Sequence, residues 1–128
     1  MPKLNILVLD DEPIVGKRLK PALAKSGYSV DVVENGADAI RLIDERVYDI
    51  VVTDIRMEGV DGIGVLRHAL ARSPRTLVIM ITGYATVEMA REALTIGAFD
   101  FIAKPFKLDD LRAAIARAAE KIAADRPS

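Results

Sequence analysis

The sequence NILVLDDEP, residues 5–13, runs from four consecutive apolar residues directly into two aspartates and a glutamate. A run that is apolar at every position, rather than at alternate positions, predicts a strand buried on both faces, as in parallel sheets covered by helices. Comparable runs, some weaker, recur along the chain. The predicted strands are 4–9, 28–34, 49–53, 76–81 and 99–103.

Amphipathic helical patterns, with apolar residues three and four positions apart, separate these strands. The predicted helices span 13–26, 36–46, 62–73, 86–96 and 108–122. Asn35 is predicted to cap the second helix, and Gly97 is predicted to end the fourth. The apolar stripe of the fourth helix comprises Val87, Ala90 and Leu94.

Five strand–helix units without a linker or an internal repeat predict one open, doubly wound α/β domain. We assign residues 1–125 to this domain and residues 126–128 to a short C-terminal tail. Pro21 lies inside the first helix and is predicted to bend or break it, because proline lacks the N–H that the helix needs.

The composition favours an ordinary globular domain, with 51% hydrophobic and 29% charged residues. No apolar run is long enough to cross a bilayer and no signal peptide is recognisable, so we expect a cytoplasmic protein that does not enter the membrane. The net charge of −1 gives no electrostatic reason to bind nucleic acid. The absence of cysteine excludes disulfides and thiolate metal sites.

Ligands of open α/β sheets bind beyond the carboxyl ends of the strands, where the strand order reverses. Each residue that ends a predicted strand is most simply a turn or cap residue when taken alone. Together they form a charge-complementary set of acids, one hydroxyl and one ammonium: Asp10, Asp11, Asp54, Thr82, Lys104 and the following Pro105.

Three carboxylates in one pocket need a cation among them. Two carboxylates about 4 Å apart repel by roughly 4 kcal/mol at an effective dielectric near 20. Lys104 supplies one positive charge, and we expect Mg²⁺ to supply the rest, because it prefers oxygen ligands and keeps positions open for phosphate oxygens. The set therefore predicts phosphoryl chemistry.

The segments LVLDDEP, VVTDIRMEGVDG, MITGY and FDFIAKPF resemble, in order and spacing, the successive signatures of the receiver domain of two-component response regulators. The resemblance covers nearly the whole chain. It implies a flavodoxin-like fold, a five-stranded parallel sheet of order 2-1-3-4-5 with five helices in a three-layer sandwich.

The resemblance also implies roles for the strand-end residues. Asp54 would accept a phosphoryl group from a phosphohistidine of a sensor histidine kinase or a histidine phosphotransfer domain. Asp11 and Asp54 would ligate Mg²⁺ directly, Asp10 through water, and Arg56 through its backbone carbonyl. Lys104 would pair with Asp54 at rest and with a phosphate oxygen afterwards.

A switch is implied as well. Thr82 would move towards the phosphate, and Phe101 would turn into the space that it leaves, remodelling the face made by helix four, strand five and helix five. A phosphorylation-linked homodimer through that face is expected, with a monomer at rest. The peptide bond between Lys104 and Pro105 is expected to be cis by the same analogy.

The chain departs from the usual receiver pattern at several positions. Glu58 stands where proline is usual, which adds negative charge near the pocket, and Phe101 replaces the commoner tyrosine. Arg56 and Tyr84 occupy positions that vary among receivers. The segment GYATVEMAREALTIGAFDFIAKPF most resembles receivers fused to ATP-driven enhancer-binding transcriptional activators, so the chain is either a stand-alone receiver or one excised from a longer regulator.

Two other functions compete with a phosphorylated receiver. One is a receiver-like binding module that is not phosphorylated. The other is a phosphohydrolase of the haloacid dehalogenase type, which is disfavoured because those enzymes carry a second acid where Arg56 stands. His68 is interpreted as a solvated surface residue. The basic residues Lys17, Arg18 and Lys20 are most simply a solvated face, with kinase docking as a minor alternative.

Overall fold

The computed structural model describes residues 3–55, 61–83 and 87–125, apart from the side chains of Val87 and Ala90. Strands and helices alternate along the chain. The strands are β1 (Asn5–Leu9), β2 (Ser29–Val33), β3 (Ile50–Asp54), β4 (Leu77–Thr82) and β5 (Asp100–Ala103). The helices are α1 (Pro13–Lys25), α2 (Gly36–Glu45), α3 (Gly62–Arg72), α4 (Val87–Ile96) and α5 (Leu108–Asp125).

The five strands form one parallel sheet in the order β2-β1-β3-β4-β5. The chain moves outward from β1 to β2 on one side, and from β3 through β4 to β5 on the other. The order therefore reverses between β1 and β3, which opens a crevice at their carboxyl ends. The predicted fold and strand order are confirmed.

Two apolar layers lie on opposite faces of the sheet, because successive side chains of a strand point to opposite sides. Ile6 and Val8 of β1 belong to the layer under α1 and α5, which also contains Leu111. Leu7 and Leu9 belong to the layer under α2, α3 and α4. These four apolar side chains of β1 are fully buried, as the unbroken apolar run predicts.

The structure confirms the predicted start of α2 and the predicted end of α4. The Asn35 side chain caps α2 by accepting a hydrogen bond of 2.8 Å from the Asp38 amide. Gly97 follows α4 with φ at 131°, a backbone conformation that glycine adopts without a steric penalty.

Pro21 is predicted to bend or break α1; a break is wrong, since α1 continues through it to Lys25, and a bend stays a prediction. Pro21 is exposed, so the Lys17 carbonyl, which loses its intrahelical donor, can accept a hydrogen bond from water. Buried Leu19 and Leu23 pack on either side of the proline and hold the helix against the sheet. Tertiary packing here outweighs the local propensity.

The predicted stripe of α4 is wrong at Leu94, which is 43% exposed. The core contacts of α4 come from buried Ala93, with Met89 and Ile96 partly buried beside it. That set is spaced four and three residues apart, as a helix requires, so the buried face is rotated away from Leu94. Val87 and Ala90, the other two predicted members, lie outside the described side chains.

His68 is off the apolar stripe of α3, but it is not simply solvated. It is partly buried, and its Nε2 lies 2.8 Å from Asp44 Oδ1 on α2. Arg72 lies on the same carboxylate oxygen at 3.2 Å. The side chain therefore takes part in a contact between two helices. The predicted tail, 126–128, lies outside the described residues.

Candidate functional site

The crevice between β1 and β3 brings two buried carboxylates together. Asp10 follows β1 and is 1% exposed, and its amide donates to the Val33 carbonyl at 3.2 Å. Asp54 is the last residue of β3 and is 6% exposed. It still pairs with Ile81 in the β3–β4 ladder, so a strand rather than a loop fixes its backbone.

The start of α3 packs directly on the Asp54 backbone. A Cβ at Gly62 would collide with the Asp54 carbonyl oxygen, and the Gly62 amide donates to the Ile55 carbonyl at 2.9 Å. Only glycine fits this approach. The residue that opens α3 therefore also clamps the strand end that carries Asp54.

Lys104 reaches these carboxylates from β5, two strands away from β3. Its amide donates to the Thr82 carbonyl at 2.7 Å, and its side-chain stem passes close to Gly83. Its Nζ lies 2.9 Å from Asp10 Oδ2 and 3.2 Å from Asp54 Oδ2. The ammonium thus bridges the acids of β1 and β3.

A third carboxylate, Glu12, also lies on this ammonium, with Oε1 at 2.9 Å from Nζ. Glu12 is the N-cap of α1, yet its side chain makes no capping hydrogen bond. Sequence reasoning missed this residue because it considered only the residues that directly end each strand. The available signal was a glutamate at a position where Ser, Thr, Asp or Asn usually caps the helix.

The site carries more negative than positive charge. Burial raises the pKa of the Asp54 carboxyl; the Lys104 hydrogen bond opposes this, and the charges of Asp10 and Asp11 add to it. Burial alone would lower the pKa of Lys104, but its hydrogen bonds to Asp10, Glu12 and Asp54 raise it above its ordinary value. The two shifts differ in their main cause: burial dominates for Asp54, whereas the surrounding carboxylates dominate for Lys104.

The donor set fits a hard divalent cation. Carboxylate oxygens of Asp10, Asp11 and Glu12 lie within 4.8 Å of one another. Asp10 Oδ1 accepts the Glu12 amide at 2.9 Å, whereas buried Asp10 Oδ2 has no aligned hydrogen-bond donor among the described residues. An all-oxygen donor set suits Mg²⁺. Asp54 is not in this mutually close group, and Arg56 lies outside the described residues.

The other predicted residues lie on or just after the neighbouring strands β4 and β5. Thr82 is the last residue of β4, opposite Ala103 in the ladder, and is 4% exposed. Phe101 on β5 is 38% exposed. The peptide bond between Lys104 and Pro105 is cis, as expected.

The site opens into a cavity of about 560 Å³ between α1 and the loop that follows β5. Glu12 and Lys104 lie at its inner end, and Ile14, which is 63% exposed, lies on its rim. The remaining lining is largely apolar and includes Val15, Leu19, Pro105, Phe106 and Leu108. The cavity therefore presents an apolar surface beside Lys104, and Asp54 is not among its lining residues.

Comparison with known proteins agrees with this geometry. Residues 6–116 match the response regulator receiver domain family. The chain belongs to this family. It is 43% identical over 114 residues to the regulatory protein AtoC of Escherichia coli K12, a match that covers 89% of this chain and 25% of AtoC. The receiver domain spans about a quarter of the length of the curated relatives it matches.

Solved receiver structures superpose closely on this one. The CheY-like receiver domain protein of Methanospirillum hungatei gives a TM-score of 0.93 at 26% identity, covering 98% of this chain and 100% of that one. A response regulator of Burkholderia pseudomallei, solved with a phosphorylated aspartic acid, a calcium ion and citrate, gives 0.82 at 26% identity, covering 96% and 73%. No helix in the described part of this receiver is long and apolar enough to span a membrane.

Proposed function

We propose that this receiver domain accepts a phosphoryl group on Asp54 from a phosphohistidine of a sensor histidine kinase or a histidine phosphotransfer domain. The observation that carries the proposal is the buried Asp54 carboxylate, 3.2 Å from Lys104 Nζ at the reversal of strand order. Family membership and the phosphorylated aspartate of the Burkholderia relative support it.

The transfer would proceed by attack of an Asp54 carboxylate oxygen on phosphorus. The new O–P bond forms as the N–P bond to the donor histidine breaks, and the imidazole leaves with the electron pair. A carboxylate is a weak nucleophile, so catalysis depends on positioning and charge neutralisation. Lys104 contributes an N–H donor to a phosphoryl oxygen.

Asp10, Asp11, Asp54 and the Arg56 carbonyl are the proposed ligands of Mg²⁺. When bound, the ion would neutralise negative charge on the phosphoryl oxygens and on the crowded carboxylates. Asp10 is held ready by the hydrogen bond from the Glu12 amide.

A second proposal concerns the signal. Thr82 and Phe101 would change position on phosphorylation and remodel the face formed by α4, β5 and α5, on which Leu94 and Phe101 are exposed. A hydrogen bond to a charged group contributes about 1.5–3 kcal/mol, whereas shifting a population from 1:99 to 99:1 needs about 5.5. Thr82 alone is therefore insufficient: either Lys104 and backbone amides contribute to the switch, or the unphosphorylated protein already populates the active form appreciably.

The remodelled face would control an output, and a homodimer through it is one form of that control. Transcription is the proposed output, because the sequence from Tyr84 onward resembles receivers of transcriptional activators. The apolar cavity beside α1, with Ile14 on its rim, is the proposed kinase contact.

Phosphorylation by a small donor tests the proposed function directly. The protein is incubated with acetyl phosphate and Mg²⁺, and the intact mass is measured. Wild type is expected to gain one base-labile phosphoryl group, which the Asp54→Asn variant and a chelator abolish. Asp109→Asn, an exposed change on α5, is the matched control and is expected to behave as wild type.

Two outcomes would replace the proposal. A wild type that gains no phosphate would be a receiver-like binding module. Repeated turnover of a small phosphate ester would instead indicate a phosphohydrolase of the dehalogenase type.

A further inference from the structure

Glu12 differs from the other two carboxylates on Lys104 in its access to water. The side chains of Asp10 and Asp54 are 0% and 9% exposed, whereas that of Glu12 is 60% exposed. Glu12 therefore contacts the ammonium from the solvent side, whereas Asp10 and Asp54 contact it from the protein interior. Its backbone is held in place, because its amide donates to Asp10 Oδ1 at 2.9 Å.

The resting ammonium already has three carboxylate oxygens around it: it donates to Glu12 Oε1 and Asp54 Oδ2, and it forms an ion pair with Asp10 Oδ2. A lysine has three N–H donors, and Lys104 has three carboxylate oxygens within 3.2 Å. A phosphoryl group on Asp54 would add acceptor oxygens and up to two negative charges. To donate to them, Lys104 must turn away from one of its present partners.

Glu12 is the partner that can be released most easily. Asp10 is buried and would keep an unpaired charge away from water if Lys104 left it, which is strongly unfavourable. The exposed Glu12 carboxylate regains its hydration when it is released. Its contact with Lys104 thus favours the unphosphorylated state over the phosphorylated one, and its negative charge acts in the same direction.

We propose that Glu12 is a positioning residue of the phosphoacceptor site, which holds Lys104 in the resting protein and must release it when Asp54 is phosphorylated. The inference rests on the proposed phosphoacceptor function. By holding Lys104, Glu12 lowers the fraction of the protein that is phosphorylated at a given concentration of donor.

The test is a titration with acetyl phosphate at fixed Mg²⁺, in which intact mass gives the steady-state phosphorylated fraction. Glu12→Gln removes the charge while keeping the length of the side chain. We expect the half-saturating donor concentration to fall about two- to fivefold, the range for a half-exposed ion pair. Glu120→Gln, at an exposed position on α5, is the control for net charge and is expected to match wild type.

Glu12→Asp separates the contact from the charge. This variant keeps the negative charge but is one methylene shorter, which withdraws the carboxylate from Nζ. If the contact matters, the half-saturating concentration falls in Glu12→Asp as well, by less than in Glu12→Gln because the negative charge remains. A Glu12→Asp protein that matches wild type, an unchanged Glu12→Gln protein, or an equal shift in Glu120→Gln would each overturn the inference.

A double-mutant cycle tests the contact without any phosphate or metal. The unfolding midpoints of Glu12→Gln, Lys104→Met and the double variant are measured in metal-free buffer. We expect the two single shifts not to add, because each variant removes the same contact. Additive shifts would contradict the inference even if wild type is phosphorylated, whereas an unphosphorylated wild type with non-additive shifts would reject only the proposed function.

Discussion

The two ends of the sheet treat their buried polar groups differently. Near the amino ends of the strands, the Tyr48 hydroxyl donates to Asp31 Oδ2 at 2.6 Å, and Arg46 donates to the same oxygen at 3.0 Å. The Thr76 hydroxyl donates to the Tyr48 carbonyl at 2.6 Å. Each of these three donors therefore has an oxygen acceptor.

At the carboxyl ends, charge is left unbalanced. Asp10, Glu12 and Asp54 lie within 3.2 Å of the Lys104 ammonium, and Asp11 lies close to Asp10 and Glu12, so four carboxylates face one ammonium among the described residues. We infer that the amino end contributes to stability, whereas the excess of carboxylates at the carboxyl end serves the proposed binding of a cation and a phosphoryl group. Removing a polar group at the amino end should therefore destabilise the protein, whereas removing a carboxylate charge at the carboxyl end should stabilise it.

The largest expected effect comes from Gly62, which fixes the backbone at the carboxyl end. Gly62→Ala places a Cβ against the Asp54 carbonyl oxygen, so the start of α3 and the end of β3 must move apart. We expect a loss of about 3 kcal/mol in the free energy of unfolding, measured by urea denaturation. The matched control is Gly83→Ala, whose Cβ would meet, within the part of the chain that the structure describes, just the Lys104 stem at 3.8 Å. Equal stability of the two variants would disprove the clamp.

A divalent cation should relieve the imbalance at the carboxyl end. Mg²⁺ at about 100 times its dissociation constant is expected to stabilise the wild type by about 2.7 kcal/mol through mass action. Asp11→Asn should lose most of this gain, while Asp109→Asn should keep it. Thermal unfolding with and without Mg²⁺ measures both. A gain that is equal in Asp11→Asn would place the ion elsewhere.

At the amino end, removing a hydroxyl should destabilise the protein. Tyr48→Phe loses a hydrogen bond to a carboxylate, and we expect a loss of about 1.5 kcal/mol, because Asp31 retains Arg46 as a partner. Tyr28→Phe is the control, since no hydrogen bond of the Tyr28 hydroxyl is found among the described residues. A similar loss in both variants would assign the effect to packing.

The contact between Tyr48 and Asp31 also makes the contribution of Tyr48 to the free energy of unfolding depend on pH. Burial, followed by the hydrogen bond to Asp31, raises the pKa of Tyr48. The neutral hydroxyl is therefore favoured in the folded state, so its contribution is complete below the ordinary tyrosine pKa of about 10 and is lost as the pH rises through the folded value. The difference in unfolding free energy between wild type and Tyr48→Phe should be constant from pH 7 to about 9.5 and should shrink above that.

Part of the candidate site at the carboxyl end of the sheet could be predicted from the sequence. Asp10, Asp54 and Lys104 could be expected to converge, because the carboxyl ends of parallel strands share one edge and apolar runs locate those ends. Their roles in phosphotransfer stay predictions. The sheet order came from the family resemblance rather than from the apolar pattern itself.

Features that depend on tertiary contacts were not predictable from local patterns. The contact between Glu12 and Lys104 joins residues 92 positions apart and depends on where α1 begins. Leu94 was misplaced because two apolar stripes in α4, one residue apart, satisfy the helical period equally well. Pro21 was misjudged because the packing of Leu23 and Leu19 is invisible in the sequence around it.

The smallest expected effect has the opposite sign to that of Tyr48→Phe. Burial and the charges of Asp10 and Asp11 outweigh Lys104 and raise the pKa of Asp54, so ionised Asp54 is less favourable in the folded than in the unfolded state. In metal-free buffer at pH 7, Asp54→Asn should therefore raise the free energy of unfolding, by on the order of 1 kcal/mol, a typical size for one substitution.

This gain depends on pH in a direction that follows from the raised pKa. Below the ordinary aspartate pKa of about 4, the carboxyl is neutral in both folded and unfolded wild type, and the advantage of asparagine disappears. Urea denaturation at pH 7 and at the lowest pH where the protein stays folded measures the change, with Asp109→Asn as the exposed control. An Asp54→Asn variant less stable than wild type at pH 7 would mean that the Lys104 ion pair outweighs the repulsion, and the carboxyl end would then be a stabilising region like the amino end.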